Sequence, residues 1–173
     1  TFTDSNVSAS DYVAGHFELK PTDEHRAHEN YNTAPLLVYG GYDTTGTNPF
    51  ISSLKVPLDV NNPTGTNITP VTTMVTAMID ANLSEEEAIT KVKIMLGLPD
   101  DTDLGADPID EANPNLDLYK SAIQIHKTLE TLSAVKTGTD KKAVISDLYA
   151  NLAVQLKDGP ADINLSSVID NVI

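Results

Sequence analysis

The hydrophobic pattern of the chain changes near residue 68. Before this point, short apolar runs at residues 17–19 and 36–39 are separated by Gly, Pro and Asn residues, as strands are separated by turns. Residues 54–60 alternate between apolar and polar side chains, which is the period of a strand with one buried face. The inward residues of that strand are Leu54, Val56, Leu58 and Val60. The pattern predicts a small β-rich portion over residues 1–68.

After residue 68, apolar residues recur with the 3.6-residue period of amphipathic helices. The spacing predicts helices near residues 70–81, 84–96, 116–136 and 141–157, and the start of a fifth, short helix at 168–173. The predicted core-facing residues are Val71, Met74, Val75, Met78 and Ile79, then Ala88, Ile89, Val92 and Leu96, then Tyr119, Ala122, Ile123, Leu129 and Leu132, and finally Val144, Ile145, Leu148, Leu152 and Leu156.

These patterns together predict an α+β fold. A β-rich portion, residues 1–68, is followed by a four- to five-helix bundle, residues 69–173, and the two form one compact unit. The apolar stripe of the fifth helix is still open at the last residue, so we expect the unit to come from a longer protein.

Residues that favour helix ends mark the predicted boundaries. Thr69 is an N-cap with Pro70 at the first helical position. Ser84 and Glu87 have the spacing of a capping box, and Gly97 is a typical C-terminal stop.

The charge of the chain limits its partners. The net charge is −14 at pH 7 and the sequence contains one arginine, Arg26. Because phosphate binding needs clustered Lys and Arg, we expect no nucleic-acid partner. Excess carboxylate suits cations, calcium above all. The alternative is that the acidic charge serves solubility alone.

Four absences narrow the chemistry further. The sequence has no cysteine, which excludes disulfides, thiol nucleophiles and thiolate metal sites. No apolar run approaches the about 18–20 residues that span a bilayer, so we expect no direct membrane insertion. The sequence also lacks the Gly-x-Ser-x-Gly elbow of many hydrolases and the glycine-rich loops that bind phosphate.

The loop of residues 100–111 is the richest group of candidate ligands. Its aspartates alternate with other residues around Gly105, a spacing by which calcium loops gather oxygen ligands. The predicted calcium ligands are Asp101, Asp103, Asp107 and Asp110. The loop is not an EF-hand, because the twelfth position from Asp101 is Ala112 rather than a glutamate. The alternative is a solvated loop in which the aspartates form turns and helix caps.

Histidines supply a second set of candidates. Asp23, His25, His28 and Glu29 lie in one polar segment and could hold a transition metal on a helical turn. The segment lacks an obvious scaffold for the imidazoles, so we predict no tightly bound transition metal there. His126 is predicted to be a half-buried structural residue.

Several short motifs occur in a familiar order. They are YGGYDTTG at residues 39–46, SLKVP at 53–57, NITPVTTMV at 67–75, LGLPDDTDL at 96–104 and DPI at 107–109. This order resembles a domain recurrent in very large exported bacterial proteins, including adhesin-like surface proteins with calcium-binding repeats, over residues 36–135. The resemblance implies a surface-protein module without catalytic residues. The chain departs from it in the insertion at residues 20–32, which contains the histidine pair.

We therefore expect a non-catalytic structural or interaction module of an exported bacterial surface protein, stabilised by calcium and located outside the cell or on its surface. Its expected partners are other domains of the same protein or neighbouring copies. One alternative is a metal-dependent enzyme or binding protein that uses Asp23, His25, His28 and Glu29. Another is a self-assembling subunit of an extracellular filament.

Overall fold

The computed structural model describes residues 36–39, 53–57, 67–135 and 140–159. Its two strands are β1 (Leu36–Tyr39) and β2 (Ser53–Val56), and its four helices are α1 (Pro70–Asp80), α2 (Glu85–Leu96), α3 (Leu116–Val135) and α4 (Lys141–Asp158). The described chain after residue 68 contains helices as its only regular elements, and the four predicted helices are confirmed within one or two residues at each end. The predicted fifth helix lies outside the described residues.

The two strands form an antiparallel pair in which Leu37 lies opposite Lys55. Val56 is buried and Leu54 is half-buried, and both were predicted to face inward. These two four-residue strands do not test whether residues 1–68 as a whole are β-rich, because most of that portion, including the predicted strand at 17–19 and the continuation through Leu58 and Val60, lies outside the described residues.

Helix α1 is the central element of the described structure. It packs against α2, α3, α4 and β2, and residues 71–76 are all buried. A helix that is buried all round needs partners on every side. The predicted apolar stripe covers one side, where Val71, Met74 and Met78 are fully buried. The other side carries threonines, and β2 covers them.

The contact between β2 and α1 is made by hydrogen bonds from the Lys55 backbone. The Lys55 N–H donates to Thr73 Oγ1 at 2.8 Å. The Lys55 carbonyl lies 3.1 Å from the Thr72 hydroxyl and 3.2 Å from the Thr73 hydroxyl, whose single proton is shared with the nearer Thr69 carbonyl at 2.7 Å. An unpaired N–H or C=O buried at a sheet edge would cost free energy, so these threonines replace a third strand.

The Thr72 hydroxyl also ties together the start of α1. Its oxygen accepts from the Thr69 N–H at 2.9 Å and lies within 3.2 Å of the Asn67 carbonyl. A hydroxyl has a single proton, so the carbonyls of Lys55, Asn67 and Thr69 share it among them. The N-cap, the preceding loop and the strand are therefore held at one point.

The predicted helix caps are confirmed. Thr69 and Ser84 each form a capping box, the second with Glu87. Hydrogen bonds from the Ser84 hydroxyl and backbone N–H lower the pKa of Glu87 below its usual value. Gly97 ends α2 with φ at 65°, a left-handed conformation that favours glycine.

The predicted inward face of α3 is wrong at two positions. Tyr119 and Ile123 are 40% and 44% exposed, whereas Leu118 and Ile125 are buried. The helix carries large apolar residues on more than one side, and the sequence pattern could not show which side faces the core. Ala122 and Leu129 are buried as predicted.

The other helices bury the residues that their spacing predicts. In α2, Ala88 and Val92 are buried, while Ile89 and Leu96 are partly buried against the core. In α4, all five predicted residues are buried, and Tyr149 and Ala153 join them.

We predict that Thr73→Val lowers the free energy of unfolding by about 1–3 kcal/mol, because it leaves the half-buried Lys55 N–H without an acceptor. Urea denaturation measures the change. Thr76→Val is the matched control: Thr76 is equally buried, but its hydroxyl bonds only the Thr72 carbonyl of its own helix. This control should cost less than about 0.5 kcal/mol. Equal losses in the two variants would contradict the role given to Thr73.

Candidate cation-binding loop

The acidic loop, residues 98–115, is anchored to the core between α2 and α3. Leu98, Thr102 and Leu104 are buried within it. Asn67 holds its middle, because the Asn67 backbone N–H and side-chain Nδ2 both donate to the Gly105 carbonyl, at 2.9 and 3.0 Å. The loop is therefore tied to the start of α1, next to the Thr72 hydroxyl.

Three of the four predicted calcium ligands form local turns. Asp103 Oδ1 accepts from the Gly105 N–H at 2.9 Å, and Asp107 Oδ1 accepts from the Ile109 N–H at 3.0 Å. Asp110 Oδ1 accepts from the Ala112 N–H at 2.9 Å. Each bond joins a side chain to the backbone two residues on, which is an Asx turn. The aspartates thus shape the loop, as the alternative interpretation predicts.

The predicted ligands are all exposed, and they are not gathered around one point. Within residues 67–135 and the other described stretches, no three Asp, Glu or His side chains are grouped closely enough to hold a metal ion. In each Asx turn the second carboxylate oxygen has no role in the turn. Calcium binding would therefore use the second oxygens of Asp103, Asp107 and Asp110 and would require the loop to bring Asp101 toward them.

Of the two histidine predictions, one concerns residues that the structure describes and the other does not. Asp23, His25, His28 and Glu29 lie outside the described residues, so the prediction of no transition metal there stays a prediction. His126 is half-buried on α3, as predicted. The neighbouring Glu130 has a lowered pKa, chiefly because the Lys127 ammonium donates to it at 2.9 Å.

The outer face of α3 was missed by sequence reasoning. We define it by Leu116, Tyr119 and Ile123, which are 60%, 40% and 44% exposed. Positions three, four and seven residues apart share one side of a helix, so the three side chains are neighbours. The signal was present in the sequence as a second apolar stripe, but it was assigned to the core.

Tyr149 was also missed. It lines a pocket of about 70 Å³ with Lys55, Thr73 and Asp80 where β2, α1 and α4 meet. Its phenol oxygen is buried without a hydrogen-bond partner. Burial raises the pKa of Tyr149 above its usual value, so the phenol is neutral. The Lys55 ammonium and the Asp80 carboxylate pair at 3.2 Å beside it.

None of the described helices is both long and apolar enough to cross a bilayer. No family model, curated protein or solved structure shows significant similarity to the chain. The resemblance to a domain of exported bacterial surface proteins therefore rests on its short motifs alone.

For calcium we predict a melting temperature that rises with the ion and rises less with magnesium. A ligand that binds only the folded state adds about 2.7 kcal/mol at a hundredfold excess over its dissociation constant. Differential scanning calorimetry in chelator and in millimolar calcium measures the shift.

The variant Asp101→Asn with Asp103→Asn should remove the calcium response while preserving the loop, because an Asn side chain also forms Asx turns. Asp147→Asn, on the exposed side of α4, is the control and should respond as the unchanged chain does. Identical melting curves with and without calcium would show that the aspartates form turns and do not bind calcium.

For Tyr149 we predict that Tyr149→Phe raises the free energy of unfolding by about 1–3 kcal/mol, because it removes a buried hydroxyl without a partner. Tyr119→Phe, at an exposed tyrosine, should change it by less than about 0.5 kcal/mol. A loss of stability in Tyr149→Phe, measured by urea denaturation, would show that the hydroxyl is hydrogen-bonded in solution.

Proposed function

We propose that the chain is a non-catalytic structural or interaction module of an exported bacterial surface protein, and that it meets its neighbours through the outer face of α3. One observation carries the proposal: Leu116, Tyr119 and Ile123, which are 60%, 40% and 44% exposed, lie on one side of a long helix whose other side is buried. Single exposed apolar residues are ordinary on protein surfaces, but contiguous ones indicate a contact surface.

The charges of α3 support this assignment. Helix α3 contains two acidic and two basic side chains, so its net charge is zero in a chain of net charge −14. They form two ion pairs along the helix, Asp117 with Lys120 at 3.1 Å and Lys127 with Glu130 at 2.9 Å. A locally neutral surface can approach another acidic surface with less repulsion than the rest of the molecule.

The other parts of the proposal rest on the sequence. Export and a surface location are inferred from the acidic, cysteine-free composition and the resemblance, and the β-rich character of residues 1–68 from its strand-like pattern. A calcium-stabilised loop would add rigidity between α2 and α3. The partners are other domains of the same protein or neighbouring copies.

The two alternatives make different demands. A metal-dependent enzyme or binding protein would hold its metal with Asp23, His25, His28 and Glu29. The purified protein would then contain stoichiometric zinc, and the zinc would be lost when both histidines are replaced. A filament subunit would use a surface such as the outer face of α3 for assembly, and it would form large particles in solution. The apolar stripe favours an interaction role over the enzyme.

We predict that Ile123→Ala changes the free energy of unfolding by less than about 0.5 kcal/mol, because a contact surface does not contribute to the fold of the free chain. Ile125→Ala, the same substitution on the buried side of α3, should cost about 2–5 kcal/mol. Urea denaturation compares the two.

A large loss in Ile123→Ala would mean that this side of α3 is covered within the chain itself. The outer face would then be part of the folding core, and the proposed function would lose its supporting observation.

A further inference from the structure

We propose that the acidic loop contains a self-cleavage site, the peptide bond between Asp107 and Pro108. The bond breaks when the Asp107 carboxylate attacks its own carbonyl carbon, without help from a second protein. The sequence has ten prolines, and Pro108 is the only one that follows an aspartate. The proposal does not depend on the outer face of α3.

An aspartate followed by a proline combines a nucleophile with a good leaving group. A carboxylate is one of the side chains that act as nucleophiles in proteins, and an aspartate reaches its own carbonyl carbon by closing a five-membered ring. The proline nitrogen carries the ring and no hydrogen, so its peptide bond is a tertiary amide. Such a nitrogen takes up a proton more readily than that of an ordinary peptide bond, and it therefore leaves more readily.

The cleavage step is a hydrolysis with an anhydride intermediate. One oxygen of the Asp107 carboxylate bonds to the Asp107 carbonyl carbon, and the bond from that carbon to the Pro108 nitrogen breaks. The electron pair of the broken bond stays on the nitrogen, which takes a proton from the solvent and becomes the amine end of the second fragment. Water then opens the cyclic anhydride to two carboxyl groups. The net reaction adds one water molecule and needs neither an oxidant nor a reductant.

The loop holds the Asp107 carboxylate at the bond to be broken. Asp107 Oδ1 accepts from the Ile109 N–H at 3.0 Å, and the ring closed by this hydrogen bond contains the Asp107–Pro108 peptide bond itself. The Asp107 carbonyl oxygen accepts from the Asp110 N–H at 3.4 Å. A donor at this position stabilises the negative charge that develops on the oxygen during the attack. Asp107 is exposed and Pro108 is half-buried, so water can reach the anhydride.

A second turn of the same loop separates the role of the proline from that of the turn. Asp103 Oδ1 accepts from the Gly105 N–H at 2.9 Å, and the Asp103 carbonyl accepts from the Ala106 N–H at 3.4 Å. Asp103 is exposed as well, but Leu104 follows it, and the bond between them is a secondary amide. The two turns have matching hydrogen bonds and different leaving groups. We therefore expect cleavage after Asp107 and none after Asp103.

The loop is anchored on both sides of the bond. Asn67 holds the Gly105 carbonyl, and the Pro108 carbonyl accepts from the Asn115 N–H at 3.1 Å. Cleavage would leave α1 and α2 on one fragment and α3 and α4 on the other. Because α1 packs against α3 and α4, the core keeps the two fragments together. The covalent connection through the module is then lost while its packing is kept.

Mass spectrometry of the purified chain tests the site. Incubation in mildly acidic buffer, at a pH where circular dichroism shows a folded chain, should give one fragment that ends at Asp107 and one that begins at Pro108. A chelator keeps calcium from the carboxylates. Asp107→Asn should lose this cleavage, because an Asn side chain keeps the Asx turn but is a poor nucleophile. Asp103→Asn is the matched control and should be cleaved as fast as the unchanged chain. Equal cleavage after Asp103, or undiminished cleavage in Asp107→Asn, would overturn the proposal.

The same incubation in urea separates the contribution of the loop from the weakness of any aspartate–proline bond. Because the folded loop holds the carboxylate at the bond, the folded chain should be cleaved about tenfold faster than the unfolded chain at the same pH and temperature. A folded chain that is cleaved no faster would overturn the proposal and show that Asp107 serves the turn alone. The fragments should elute together in size-exclusion chromatography without denaturant, and their separation there would contradict the retention by the core.

Discussion

The structure depends on how the buried edge of β2 obtains its hydrogen bonds. A strand edge pressed against a helix has no neighbouring strand, and its N–H and C=O groups are costly when unpaired. Here Thr72 and Thr73 of α1 bond the backbone of Lys55. Two hydroxyls thus allow an antiparallel strand pair to rest on a helix.

This contact determines the roles of the other helices. Because β2 occupies the threonine side of α1, the apolar side of α1 is left to α2, α3 and α4. Each of these helices needs only one buried side, and on α3 the side chains of Leu116, Tyr119 and Ile123 stay exposed. The same contact reaches the acidic loop, because the Asn67 carbonyl lies near the Thr72 hydroxyl and Asn67 also holds Gly105. The two surfaces to which we assign function are therefore both positioned by α1.

Local signals in the sequence predicted the helices well. Thr69, Ser84 and Gly97 mark boundaries through bonds within one turn, and such bonds can be recognised from spacing alone. The inward face of α3 could not be chosen, because Leu118 and Ile125 on one side compete with Tyr119 and Ile123 on the other. Tertiary packing decides which of the two sets is buried. The bonds between Thr73 and Lys55 join residues 18 positions apart, and no periodic pattern in the sequence predicts them. In the acidic loop, Asp103, Asp107 and Asp110 form Asx turns with the backbone two residues on. Turn formation was the alternative to calcium binding that the spacing of these residues predicted.

Hydrogen exchange at the Lys55 amide tests the β2–α1 contact most directly. If this N–H is bonded to Thr73 in a buried site, its exchange should be as slow as that of the central amides of α1, since both would open only with the unit as a whole. Exchange as fast as that of exposed amides in the acidic loop would show that β2 does not rest on the threonines, and the account of the fold would be wrong.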